Sequence, residues 1–111
     1  MSSDSIDPEL EAAFEKFWEA DRSSQLERIA VLRRTAALRT ADPAALDEAA
    51  RIAHGLCGVA AMYRFPIARS IAAQLEGYFA RGNVGPDVVL LIDQLAAALS
   101  APYRSRENER T

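Results

Sequence analysis

The sequence holds one cysteine, one histidine and a single lysine among 13 basic residues, and each scarcity removes a class of chemistry. Cys57 has no partner for an intrachain disulfide, so the fold must rest on its core, and a reducing, cytoplasmic compartment is expected. His54 and Cys57 stand three residues apart and could share a helix face. No further cysteine or histidine exists, and carboxylates would have to complete a tetrahedral shell, so no metal is expected. No uncharged apolar run approaches the roughly 18 residues of a membrane span. The first residues, Met1 to Asp7, are acidic and carry none of the apolar stretch of a leader. Neither membrane insertion nor secretion is expected. The basic residues are outnumbered by 16 acidic ones, giving a net charge of −3 and a pI near 5.1. They are scattered among carboxylates rather than gathered in a patch, which argues against a nucleic-acid partner. The apolar-polar alternation of half-buried strands is missing as well.

What the 111 residues do contain, with half of them hydrophobic, is enough apolar surface for one domain. Residues 1–111 are read as that single domain, with about 1–6 and 104–111 frayed. Proline and glycine fall at Pro8, Pro43, Pro66, Gly82, Gly85, Pro86 and Pro102, and between them apolar residues recur at helical spacing. Five helices are expected. The first is short, opens with Asp7 as N-cap and Pro8 in the first turn, and buries Leu10, Phe14, Phe17 and Trp18. A second begins at the capping box Ser24-Gln25-Leu26-Glu27 and runs to about Thr40, with Leu26, Ile29, Leu32 and Ala36 inward. Asp42-Pro43 opens a third, about 22 residues long, that ends before Phe65-Pro66. The fourth, from Pro66 to about Arg81, buries Ala68, Ile71, Leu75 and Phe79, and Gly82 suits a left-handed cap. A fifth runs from Pro86 past Leu99 with Val88, Ile92, Leu95 and Leu99 inward. Short connections make antiparallel neighbours. The expected fold is therefore all-α: an antiparallel up-down four-helix bundle with an additional short N-terminal helix.

Steps of about 100° along the third helix place Ala45, Ala49, Ile52, Leu56, Val59 and Tyr63 on one face, which is read as the core side. His54 lies opposite. Within about 60° of it stand Asp47, Ala50, Arg51, Cys57, Gly58 and Ala61, so the imidazole protrudes from a low surface. Glycine inside a helix costs about 1 kcal/mol relative to alanine, and Gly55 and Gly58 both accept that cost beside the histidine. Close approach by another molecule would account for it.

The string His54-Gly55-Leu56-Cys57-Gly58 resembles the H-x-L-K-G signature of histidine phosphotransfer (HPt) domains, the intermediate carriers of bacterial multistep phosphorelays. Leu75-Glu76 is similar to the L-E or L-Q pair that those domains carry on the following helix, and the resemblance extends over most of the chain. It implies a helical bundle of this size with His54 as the phosphoacceptor, acting as a stoichiometric carrier between receiver aspartates rather than as an enzyme. The chemistry agrees with the residue types. A phosphoryl-accepting imidazole must present one unprotonated nitrogen, and an acceptor at the other nitrogen fixes that tautomer. Glu76 is the candidate acceptor.

Two positions depart from the signature. Cys57 stands where the lysine would offer a cation to the phosphoryl group, and Arg64 stands where a second glycine is common. Arg51, Arg64 and Arg69 are the candidate substitutes for the missing charge. Ala50, Cys57, Gly58 and Ala61 are expected to admit a docking partner. The resemblance implies that the partners are response-regulator receiver domains and a hybrid histidine kinase, with the catalytic Mg²⁺ on the receiver and no cofactor on this chain, which is expected to be a monomer. The competing expectation is a degenerate HPt-like module that binds a receiver or kinase without being phosphorylated.

Overall fold

In a computed structural model, residues 8–38 and 40–100 are described. They form four helices: α1 (Pro8–Ala36), α2 (Pro43–Met62), α3 (Pro66–Ala80) and α4 (Pro86–Ser100), with no strand among the described residues. Each helix packs on the next in chain order, and α4 closes against α1. The Asp7 cap, the frayed ends and the charged stretch from Arg104 to Arg110 lie outside the described residues.

The expected additional N-terminal helix is not a separate element, because the first two expected helices are one helix of 29 residues. Ser23 and Ser24 sit inside it, and the capping box at Ser24 is not used as a cap. The physical reason lies on the inner face. Trp18, Gln25, Ile29, Leu32 and Ala36 are all buried and fall within about 60° of one another, so one stripe runs unbroken past the two serines. A serine inside a helix loses only about half a kcal/mol relative to alanine, far less than that burial returns. Glu9 and Glu11 at the start and Arg33 and Arg34 at the end match the helix dipole. Two residues expected inside are not: Leu10 and Phe17 are exposed, while Trp18 is fully buried.

The other boundaries fall where proline places them. Asp42 caps α2, its Oδ1 accepting the Ala45 amide at 2.8 Å, with Pro43 following in the first turn. Helix α2 closes in a Schellman turn: the Phe65 amide donates to the Ala60 carbonyl at 2.8 Å and the Arg64 amide to that of Ala61 at 3.2 Å. The same pair of bonds ends α3, from Asn83 to Tyr78 and from Gly82 to Phe79. There Gly82 takes the left-handed position with φ 81° as expected, whereas α2 places Arg64 in it with φ 63°. A side chain in that region is strained by roughly 1–2 kcal/mol. Arg64→Gly is therefore expected to raise stability by about 1 kcal/mol in urea unfolding, net of the glycine's added freedom when unfolded. A destabilised variant would show that the arginine side chain holds the turn.

The core gathers Trp18, Tyr63 and Phe65 near the turn between α2 and α3 together with Phe79, Ile92 and Leu95. On α2 the buried residues are Ala49, Ala53, Leu56 and Ala60, with Tyr63 beyond the helix end. Ala45, Ile52 and Val59 are only half-buried. The inward face is thus turned by about 40° from the expected one. Ala68 and Ala72 are likewise buried on α3. Small side chains let two backbones approach closely, and α2 packs more extensively on α3 than on any other helix.

Candidate functional site

That close approach sets the site. His54 projects from α2 with its side chain 75% exposed, and Glu76 rises beside it from α3. Each is held by a fully buried neighbour within two positions, Leu56 for the histidine and Leu75 for the glutamate. Nδ1 of His54 lies 3.1 Å from one carboxylate oxygen of Glu76 and 3.2 Å from the other. An ionised carboxylate only accepts, so the bridging hydrogen belongs to Nδ1, which donates. In the neutral ring that leaves the lone pair on Nε2, on the far side of the ring from Glu76. Exposed pairs of this kind contribute about 0–1 kcal/mol to stability.

Around the imidazole, Gly58 and Ala61 are exposed and Ala50 and Cys57 half-buried. A Cβ added at Gly58 would meet nothing within 4 Å, so the surface there is as low as the sequence implies. Gly55 differs. It is turned toward α1, where Arg28 Nη1 lies 3.8 Å from the position its Cβ would take. Arg51, exposed on α2, precedes the histidine by one turn. Arg64 and Arg69 come together elsewhere, lining a shallow depression of about 280 Å³ with Ala60, Ala61, Phe65 and Pro66. Its nearest α2 residues lie roughly 9–10 Å beyond His54 along the axis. Sequence reasoning brought together His54, Glu76 and the small residues, and it missed Arg28. No signal in the sequence marks a side chain that reaches across from another helix. Among the described residues no three His, Cys, Asp or Glu side chains are grouped to hold a metal ion, and no helix is long and apolar enough to cross a membrane.

A family model of the Hpt domain matches residues 8–101, the span of all four helices. The chain belongs to the Hpt domain family. No curated protein and no solved structure gives a significant match. Hpt domains carry phosphoryl groups on a histidine in two-component phosphorelays, where they meet receiver domains and histidine kinases. As an Hpt domain this chain is helical throughout its described elements, and its one histidine is exposed, mid-helix and, among the described residues, hydrogen-bonded at Nδ1.

Proposed function

We propose that this chain is a stoichiometric phosphoryl carrier, with Nε2 of His54 as the atom that takes the phosphoryl group. The observation that carries the reading is the contact of His54 Nδ1 with both carboxylate oxygens of Glu76, on a face where Ala50, Cys57, Gly58 and Ala61 keep the surface low. In the forward step the lone pair of Nε2 attacks the phosphorus of a receiver's aspartyl phosphate. The P–N bond forms, the P–O bond to the aspartate breaks, and the aspartate leaves as a carboxylate. The proton on Nδ1 stays in place, so the ring becomes a phosphorylated imidazolium whose positive charge faces Glu76. Transfer to a second receiver reverses these changes. The receiver supplies Mg²⁺ and the catalytic groups, and this chain contributes position, tautomer and charge without a cofactor or metal of its own. Receiver domains and a hybrid histidine kinase are the partners, and the chain works as a cytoplasmic monomer.

Docking uses the low surface of Ala50, Cys57, Gly58 and Ala61. Arg51, Arg64 and Arg69 add positive charge around it, the last two at the far depression where they meet the partner's acidic surface rather than the reacting group.

Glu76→Ala tests the reading. Both orientation of the ring and compensation of its charge are removed, so the transfer rate from a phosphorylated receiver is expected to fall about tenfold or more, which corresponds to roughly 1.4 kcal/mol of transition-state stabilisation. Receiver affinity should change by less than about twofold, because the carboxylate lies at the edge of the docking surface. Nitrogen NMR of the single histidine should show the proton moving off Nδ1 in a larger fraction of molecules. An unchanged rate with an unchanged tautomer would reduce Glu76 to a surface charge. The module that binds without being phosphorylated would instead take no phosphate in either form.

A further inference from the structure

Resting on the carrier reading of His54, we infer that Arg28 of α1 is the cation that receives the phosphoryl group, in place of a charge on α2 itself. A phosphoryl group brings about two negative charges to an exposed nitrogen, and a nearby cation is the ordinary way to hold them. On α2 the residue one turn beyond His54 is Cys57, a neutral thiol, and the chain's one lysine, Lys16, precedes Arg28 by roughly 18 Å of helix. The charge must come from arginine.

Most arginines nearby are engaged or remote. Arg22 pairs with Glu19 at 3.3 Å and Arg33 with Asp93 at 2.7 Å. Arg81 lies over the Tyr78 ring, 5.1 Å from its centroid. Arg64 and Arg69 line the depression toward the other end of α2. Arg28 is exposed and has no hydrogen bond or ion pair among the described residues. Its guanidinium reaches across to α2 at the level of the histidine, 3.8 Å from the place of a Gly55 Cβ. Glu76 holds Nδ1 from the α3 side, so Nε2 is on the far side of the ring from Glu76, and α1 is the other helix that α2 packs against. Glu76 and Arg28 thus come to α2 at the level of His54 from its two neighbours, α3 and α1. A guanidinium presents paired N–H donors that match two phosphoryl oxygens at once. Gly55 serves this arrangement, since a bulky side chain there would occupy the space of the Arg28 tip. Arg51 is also exposed, one turn before His54 on the same helix, and no side chain from α1 or α3 is placed against it as Arg28 is placed against Gly55.

The test is a set of transfer rates from a phosphorylated receiver with Mg²⁺, measured with receiver affinity alongside. Arg28→Ala is expected to slow transfer about tenfold or more with affinity changed less than twofold, Arg28→Lys to fall between wild type and Arg28→Ala because it keeps the charge but not the paired donors, and Arg34→Ala, at an exposed α1 arginine outside the site, to leave the rate unchanged. The decisive member is the double variant: Cys57→Lys in the Arg28→Ala background should bring the rate back to within about threefold of wild type, which a purely structural role for Arg28 would not allow. Wild-type transfer by Arg28→Ala, a loss accounted for by weaker receiver binding, or a loss that Cys57→Lys leaves unrepaired would each overturn the assignment to Arg28 while leaving His54 as carrier. A wild-type protein that takes no phosphate at all would overturn both.

Discussion

His54→Gln is expected to abolish phosphoryl transfer while leaving helix content and the thermal midpoint nearly unchanged. Three quarters of the imidazole is exposed, so its replacement removes almost no buried surface, and glutamine is at least as good a helix former as histidine. The pairing with Glu76 is itself exposed, and breaking it costs about 1 kcal/mol or less. For a domain of this size that is a shift of at most about 4–8 °C. Transfer, by contrast, loses its nucleophile outright, because an amide nitrogen has no available lone pair. Phosphate incorporation by the folded variant would remove His54 from the chemistry, and a large loss of stability would show that the ring is packed rather than presented.

Trp18→Ala should have the largest effect on the fold. Trp18 is fully buried and its ring lies 5.1 Å, centroid to centroid, from both Tyr63 and Phe65, with Phe14 edge-on to Tyr63 at 6.3 Å. This cluster fastens the N-terminal half of α1 to the turn between α2 and α3. Truncating a buried tryptophan costs about 3–5 kcal/mol, a large part of the stability of a domain this small. Phe17→Ala, one residue earlier, removes a side chain that is 62% exposed and should change stability by about 0.5 kcal/mol or less. Chemical unfolding of the two variants checks the pair. Equal losses would mean that the inner stripe of α1 is misplaced.

The same two residues show how far the sequence could be read. Pro43, Pro66 and Pro86 mark the starts of α2, α3 and α4 because a ring without an N–H fits a first helical turn, and Asp42 signals its cap by the same local chemistry. The capping box at Ser24 is local chemistry of that kind too, and it misled. Whether the chain breaks there depends on a stripe that passes through Gln25, a buried residue whose polarity conceals its membership. Phe17 was drawn inward by its size, although one position separates it from the buried stripe. The face of α2 was misjudged for a related reason: Ile52 and Val59 outweigh Ala53 and Ala60 in any hydropathy pattern, yet it is the alanines that allow α3 to come close. The pairing of His54 with Glu76 was legible because both positions follow a motif. The approach of Arg28 to Gly55 was not, since a long side chain reaching across from another helix leaves no mark in the sequence.

For His54 as the phosphoacceptor, the most direct measurement is the mass and chemical stability of the protein after mixing with a phosphorylated receiver domain and Mg²⁺. The expected result is a gain of one phosphate per chain, released in mild acid, retained in alkali and mapped to His54, with the receiver giving up its own phosphate in step. A protein that binds the receiver and gains none, or that carries a phosphate stable in acid on another residue, would contradict it.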